Sequence, residues 1–251
     1  MDVAKPEMVI NGTDIAQFGA RLIDYSVSGT GITNNIAAGD KALLGLPLLA
    51  SKSYAARKLT VNLTITSQAR GGMPVMLAAL TAQKAKLDSA IFSGDICTIT
   101  LLDGYIYDCL VTSIGTLSPD GGGKADVTYT FDAILHYGMA HVTISNGVNN
   151  INCTSTAATY CAVDITNAQG SVTTVNLPEL GIRASVPLGK TLSINGINKT
   201  VTMDGSNAFL RLSNFVDFPV LKPGENTLTL SGDGGGTYTL RAMVSYYPVV
   251  I

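Results

Sequence analysis

Alternating apolar and polar residues mark the clearest elements of this chain and predict a protein built mainly of β-strands. In residues 58–67 every second side chain is apolar, so one face of a strand would be buried and the other polar. The same alternation returns in residues 124–135. Residues 96–102 and 105–114 are expected to pair as a hairpin around the turn Asp103-Gly104. These segments favour an antiparallel sheet with one buried face.

A helical spacing replaces this alternation in one segment. Pro74 suits the first turn of a helix, where its missing N–H is not needed. Met76, Leu80 and Leu87 then recur at the spacing of one helix face, among several alanines. The sequence therefore predicts a helix over residues 74–89, with Met76 and Leu80 as core residues rather than ligands.

Short strands are predicted at residues 9–10 and 19–27, but the pattern loosens between residues 29 and 56. An arm this long without regular structure is uncommon unless it is functional. It contains an apolar patch at residues 42–49, which either packs against a neighbouring subunit or folds back on its own sheet. The candidate subunit-interface residues are Leu43, Leu44, Leu46, Leu48 and Leu49.

The second half of the chain shows no helical spacing after Gly138. Residues 153–170 are expected to form a loop. Short strands with turn residues between them imply a β-sandwich. They are predicted at residues 142–145, 171–176, 181–186, 191–194, 208–212, 227–230 and 238–246. We therefore expect two domains, residues 1–139 and residues 140–251.

The segment 211–231 is expected to be a strand, a rigid loop and a second strand. Pro219 and Pro223 each fix φ and lack a backbone N–H, so the strand ladder should stop between them. Gly224 permits the turn that follows. The alternation then resumes from Asn226 to Leu230.

Composition and charge exclude several classes of function. Hydrophobic residues make up 46% of the chain but charged residues only 14%, and the net charge is −2. With no basic run, binding to nucleic acid through phosphate contacts is not expected. The chain opens without the apolar core of a signal peptide, and it holds no apolar run of about 18 residues that would span a membrane. The low charge fits either neutral sheet faces or surface buried against partners.

The four cysteines are Cys97, Cys109, Cys153 and Cys161. Their spacing matches no zinc motif, and only two histidines accompany them. A two-residue hairpin turn would set Cys97 opposite Leu110 and turn the thiols of Cys97 and Cys109 to opposite sides. Cys153 and Cys161 could pair across a loop. Without a secretory signal, four free and mostly buried thiols are expected.

No constellation for catalysis or for metal or cofactor binding emerges. The glycine-rich segment 232–236 lacks the following Lys and helix of a phosphate-binding loop. His136 and His141 have no convergent third group, so both are expected in a linker or on the surface. The aspartates are expected to be solvated strand-end residues. Three tyrosines could stack on sugars but are expected to pack on the sheet: Tyr238, Tyr246 and Tyr247.

Several segments resemble, in order, the distal tail proteins of long-tailed, siphovirus-type phages. Residues 10–12 and 18–19 resemble the family's opening strands. Residues 192–196 and 204–205 resemble its paired hairpin turns, and residues 246–251 its final strand. The most specific similarity is a proline-rich closing motif made of Phe218, Pro219, Leu221, Pro223, Gly224 and Asn226.

The resemblance implies a mainly β protein. It would have an N-terminal β-sheet or split-barrel domain with one helix and a C-terminal galectin-like β-sandwich. It implies a homo-hexameric ring around the channel through which DNA passes. Its partners would be the tail tube protein, the tail-associated hub protein and receptor-binding proteins. The protein would be a structural component of the tail of a phage or prophage, without enzymatic activity or membrane insertion.

Two other interpretations remain open from the sequence. The C-terminal sandwich could be a carbohydrate-binding adhesion module. Alternatively, the chain could be a tail-tube subunit, since tube proteins share the N-terminal plan of sheet and helix. A complete second sandwich argues against the tube.

Overall fold

The computed structural model describes residues 7–29, 32–37, 48–54, 56–170, 174–213, 215–234 and 237–250. Strands dominate these residues, with one long α-helix among them. The chain divides into two compact units, with the boundary between His136 and Tyr137. The sequence-based boundary at residue 139 lies close to this division.

The first unit is an antiparallel sheet with a helix packed on one face. Its strands are β1 (Met8–Ile10), β2 (Thr13–Asp14), β3 (Ala20–Ser28), β4 (Ile32–Ala37), β5 (Leu48–Tyr54), β6 (Arg57–Thr66), β7 (Cys97–Leu101), β8 (Ile106–Ile114), β9 (Ser118–Pro119) and β10 (Lys124–His136). The main sheet has the order β2-β1-β7-β8-β10-β6-β3, and β9 also pairs with β10. The long strand β10 lies between β8 and β6, and β3 forms the edge beside β6.

The alternation read from the sequence sets the two faces of this sheet. In β6 the residues Leu59, Val61, Leu63 and Ile65 are fully buried, and Val127, Tyr129 and Phe131 of β10 lie beside them. The opposite face is polar. There Thr64 donates to Asp126 at 2.6 Å and Thr128 donates to Asn62 at 2.6 Å.

The helix α1 (Met73–Ile91) covers the apolar face, close to the predicted range. Its buried residues are Leu80, Leu87 and Ile91. A polar contact fixes the helix to the sheet: the Tyr129 hydroxyl donates to Asp88 at 2.7 Å, and Lys84 pairs with the same carboxylate at 2.7 Å. Leu80 is a core residue as predicted, whereas Met76 is only partly buried.

Two findings correct the sequence reading of the first unit. The segment expected to be an irregular arm contains β4 and β5, which pair antiparallel with each other. In the hairpin of β7 and β8, Cys97 lies directly opposite Cys109, so the predicted register was wrong. The strands are joined by residues 102–105 rather than by a two-residue turn, and this longer connection changes the register.

The second unit is a sandwich of two antiparallel sheets. Its strands are β11 (Ala140–Ser145), β12 (Gly147–Cys153), β13 (Thr159–Gln169), β14 (Val175–Leu177), β15 (Ile182–Ala184), β16 (Thr191–Asn195), β17 (Thr200–Met203), β18 (Ser206–Asn207), β19 (Val220–Leu221), β20 (Gly224–Gly232) and β21 (Thr239–Tyr246). The short strand β22 (Val249–Val250) follows and belongs to neither sheet of the sandwich. One sheet has the order β11-β21-β13-β16-β17-β18, with β19 beside β13. The other has the order β12-β20-β14-β15.

Inward-facing residues of both sheets form one hydrophobic core in this unit. Val163 and Ile165 of β13 and Val244 of β21 come from one sheet, and Leu228 and Leu230 of β20 come from the other. All five side chains are buried. Such a core is the expected interior of a β-sandwich.

Three local expectations for this unit were wrong. The predicted loop 153–170 is mostly the long strand β13. Residues 209–211 form a short 3-10 helix instead of the strand expected at 208–212. The ladder was expected to stop between Pro219 and Pro223, but strand pairing continues within this segment. Val220 pairs with Tyr160, and Leu221 pairs with Thr159.

Candidate assembly surfaces

The closing motif, residues 218–226, is built around one asparagine side chain. The Oδ1 atom of Asn226 accepts a hydrogen bond from the Lys222 N–H at 3.0 Å. Its Nδ2 atom donates to the Lys222 carbonyl at 2.8 Å and to the Gly224 carbonyl at 3.0 Å. Gly224 has φ of +81°, which favours glycine at this turn. The motif therefore sets the point at which β20 begins.

The proline carbonyl at the start of the motif joins it to the rest of the sandwich. The Pro219 carbonyl accepts from the Cys161 N–H at 3.0 Å. Gly196 lies beside this backbone contact, and its N–H donates to the Cys161 carbonyl at 2.9 Å. A Cβ on Gly196 would lie 2.7 Å from the Cys161 oxygen and 2.9 Å from the Pro219 oxygen. Only glycine fits between these two backbone segments.

Phe218 belongs to an aromatic cluster beside an exposed loop. Its ring lies edge-on to Phe215 at 5.0 Å between centroids, and Phe215 lies edge-on to Phe209 at 5.0 Å. Lys199 places its Nζ 2.9 Å from the centroid of the Tyr160 ring and 5.0 Å from that of Phe218. Such cation–π contacts favour a fixed position for the lysine.

The same loop presents two fully exposed apolar side chains, Leu210 and Val216. Single exposed apolar residues are common, but two on one short loop above an aromatic cluster make an apolar surface. We call residues 209–218, excluding Asn214, the apolar loop. Sequence reasoning missed this surface because it assigned residues 208–212 to a strand.

A second apolar surface is the outer face of α1. Met73, Val75 and Leu77 are exposed there, followed by small residues such as Ala78 and Ala82. A helix of a solvated surface normally carries a polar outer face. This face of α1 carries few charges, so it is suited to burial against another protein.

The predicted interface patch lies mostly outside the described part of the chain. Leu43, Leu44 and Leu46 are not among the described residues. Leu48 and Leu49 are the first residues of β5. The assignment of this patch to a subunit interface therefore stays a prediction.

The two histidines occupy different environments. His136 is buried rather than exposed, which corrects the prediction, and its Nε2 lies 3.2 Å from Asp108. The contact with His136 holds the pKa of Asp108 below its usual value, against the opposing effect of burial. His141 is exposed as predicted and contacts Ser245 at 2.8 Å. Among the described residues, no group of three potential ligands is placed to hold a metal ion.

Asp103 instead holds the turn between β7 and β8 against β3. It accepts from the hydroxyl of Tyr25 at 2.9 Å and from the hydroxyl of Tyr107. Burial and this carboxylate raise the pKa of both tyrosines. A tyrosine with a raised pKa stays protonated and keeps donating, so the arrangement is structural.

The four thiols are free and buried. Burial raises the pKa of Cys97 to about 11 and that of Cys161 to about 12. Buried thiols of this kind are unreactive at neutral pH. In the part of the chain that the structure describes, no helix has the length and apolar character needed to cross a membrane.

Comparison with known proteins finds a family match in the second unit. Residues 152–242 match the family model described as the C-terminal domain of the siphovirus-type tail component. No curated protein sequence matches the chain. The resemblance to distal tail proteins that several segments of the sequence predicted is confirmed, with the family match lying in the C-terminal unit.

The whole fold is similar to the crystal structure of SPP1 Dit, described as a paradigm of the hub adsorption apparatus in phages that infect Gram-positive bacteria. The TM-score is 0.72 at 13% identity, with 98% of this chain and 99% of that chain covered. The phage P2 baseplate in its activated conformation with Ca is also similar, with a TM-score of 0.49, 14% identity and 92% of each chain covered. The match to SPP1 Dit confirms the predicted fold class.

Proposed function

We propose that this protein is the hub at the tail tip of a long-tailed phage or prophage, where it joins the tail tube to the host-adhesion apparatus. One observation carries the proposal. A siphovirus-type tail component domain occupies residues 152–242, in a chain whose fold matches SPP1 Dit over 98% of its length. The role is scaffolding in the virion tail, assembled in the host cytoplasm, without bond chemistry.

The first unit is proposed to build a ring of six copies. The exposed apolar side chains of α1, among them Met73 and Leu77, support this because an oligomer would remove them from water. The apolar patch at residues 42–49 is a second candidate for the same interface. In a closed ring each subunit would present one surface to the next and a different surface to the previous one.

The polar face of the main sheet is proposed to line the DNA channel. It carries Asp24, Asp108, Asp126 and Asp132, with Lys58 opposite Asp132. Arg21 and Lys124 lie on the same face, so its charges are nearly balanced. The face therefore has no basic patch that would hold the phosphates of passing DNA. A surface of this kind is better suited to a channel that DNA passes through than to a DNA-binding site.

The second unit is proposed to face outward and to carry receptor-binding or other baseplate proteins. The apolar loop supports this assignment because Leu210 and Val216 are fully exposed. Partner binding would cover them, as central apolar residues are covered in stable interfaces.

The test is the solution mass of the full chain by light scattering, with negative-stain images of the same peak. Rings of six 26.1 kDa chains with an open centre are the expected result. A strict monomer that stays monomeric when mixed with the tail tube protein would contradict the ring. In that case a glycan array on the full chain would test the adhesion module instead.

A further inference from the structure

The strand β20 is paired along most of its length on one side but only near its end on the other side. On one side it pairs with β12 from Gly224 to Leu230. On the other side β14 pairs only with Ser231 and Gly232. Pro178 begins a 3-10 helix directly after β14, and its missing N–H ends the strand there.

The hydrogen bonds show which backbone groups point toward the vacated side. Asp233 donates its N–H to the Thr174 carbonyl at 3.1 Å, on the β14 side. Thr229 donates its N–H to the Glu179 carboxylate at 3.0 Å, so a side chain replaces the missing strand at that residue. Alternate residues of a strand point their N–H and C=O groups to the same side.

It follows that Thr227 and Glu225 direct their N–H and C=O groups to this side as well. The backbone N–H and C=O groups of these two residues are not used in the pairing of β20 with β12. Among the described residues, no strand pairs with β20 on this side at Thr227 or Glu225. We call the backbone of these two residues the open edge.

A groove of about 240 Å³ runs along the open edge. Leu180 and Val220 supply apolar contact, and Glu179, Lys222 and Glu225 supply charge. Unpaired backbone donors and acceptors beside an apolar groove are the features that bind an extended polypeptide.

We propose that the open edge binds an extended segment of a partner protein, which adds a short strand to the sheet beside β20. The groove has two carboxylates for one amine, so it favours a segment with Lys or Arg at its outward positions. Residues facing inward would be apolar and would contact Leu180 and Val220. A second copy of this chain pairing through the same edge would bring its Glu225 close to this Glu225, which disfavours self-association.

This binding site goes beyond the hub role and does not depend on ring formation, so it is tested separately. The probe is a synthetic peptide of about eight residues that alternates valine and lysine, long enough for one strand. A peptide that alternates valine and glutamate is its matched control. Amide chemical shifts of the ¹⁵N-labelled full chain would be recorded during titration. We expect saturable shifts centred on Glu225 and Thr227 with the lysine peptide and weaker binding of the glutamate peptide.

Two variants make the test specific. Thr227→Pro removes the N–H that faces the groove and leaves the ladder with β12 in place, since proline is tolerated at an open edge. It should lower peptide affinity by about tenfold or more, whereas Thr227→Val keeps the N–H and should bind as the parent does. Glu225→Lys should reverse the preference between the two peptides, and this variant keeps the test valid even where the proline impairs folding.

Three results would overturn the proposal. The first is an absence of shifts at both residues with the lysine peptide. The second is equal affinity of a folded Thr227→Pro variant. The third is a concentration-dependent change at Glu225 and Thr227 without peptide, which would assign the edge to a second copy of the chain.

Discussion

Asn149 and Asn226 close two turns of the same geometry at opposite ends of one strand pair. The Nδ2 atom of Asn149 donates to the carbonyls of Ser145 and Gly147 at 2.8 and 2.9 Å, and its Oδ1 atom accepts from the Ser145 N–H at 3.2 Å. Asn226 makes the corresponding contacts with Lys222 and Gly224. The two turns open β12 and β20, whose antiparallel pairing places the turns at opposite ends.

We predict that Asn226→Ala lowers the free energy of unfolding by about 1–3 kcal/mol, because backbone groups of the turn lose their partners. Asn149→Ala should have a similar effect for the same reason. Urea unfolding of the full chain followed by fluorescence or circular dichroism would measure both.

Asn198→Ala is the control for these variants. Asn198 is exposed, and the hydrogen bond it makes in this region uses its backbone N–H rather than its side chain. Its replacement should change stability by less than about 0.5 kcal/mol. An equal loss in all three variants would show that the side-chain contacts of the turns are not the cause.

Gly196→Ala should destabilise the second unit by about 1–3 kcal/mol, since the added methyl group would collide with the backbone oxygens of Cys161 and Pro219. Gly138→Ala is a matched control, because a Cβ there meets nothing within 4 Å and φ is not positive. The control should be neutral or slightly stabilising. Thermal unfolding distinguishes the two, and equal midpoints would contradict the close packing at Gly196.

The contact between Asp108 and His136 predicts an acid-dependent contribution to stability. The pKa of Asp108 is lowered in the folded protein, chiefly by the hydrogen bond with His136. Its stabilising effect is therefore complete above the unfolded pKa of about 3.9 and is lost as pH falls through the folded value. Asp108→Asn should be less stable than the parent near neutral pH, and the two should converge in acid.

Urea midpoints between pH values of about 6 and 2.5 would measure this convergence. The same comparison in a His136→Gln background isolates the pair, because the partner responsible for the lowered pKa is then absent. A pH dependence that survives unchanged in that background would assign the effect to another group.

Replacing Leu43 and Leu44 with Asp should leave the fold intact and abolish the ring, if residues 42–49 form the subunit interface. The charged side chains could not be buried without a large cost in free energy. Light scattering gives the mass, and circular dichroism reports folding. A folded double variant that stays hexameric would remove this patch from the interface.

The outer face of α1 gives a separate prediction for the ring. Leu77→Lys should weaken assembly, because it places a charge on the apolar surface proposed to be covered. Leu188→Lys is the control, since Leu188 is also exposed but lies in the second unit. We expect dissociation at lower protein concentration for the first variant only, measured by mass photometry of diluted samples.

The sequence predicted those elements whose periodicity was regular. In β6 the alternation is uninterrupted, and α1 carries its leucines at helical spacing, so both were located within two residues of the bounds found. The strand β13 was missed because its inward positions include Thr159 and Asn167, which dilute the apolar pattern. Asn167 is buried and donates to the Val186 carbonyl at 3.0 Å, a contact that local sequence does not reveal.

The candidate surfaces were predicted less well than the strands. The closing motif was located from its prolines and glycine, but its role as a turn held by Asn226 depends on three-dimensional contacts. The open edge could not be foreseen, because it arises where β14 ends beside a strand about 50 residues later in the chain. Strand neighbours of this kind are set by tertiary pairing.

The burial of all four thiols makes this chain a convenient host for site-specific labels. Cys97, Cys109, Cys153 and Cys161 are each shielded from solvent, so a maleimide dye should react slowly with the unmodified protein. A single cysteine introduced at Val216 or Leu210 would then be the preferred attachment site. Fluorophores placed there would report the approach of a partner protein in real time, without removal of any native cysteine.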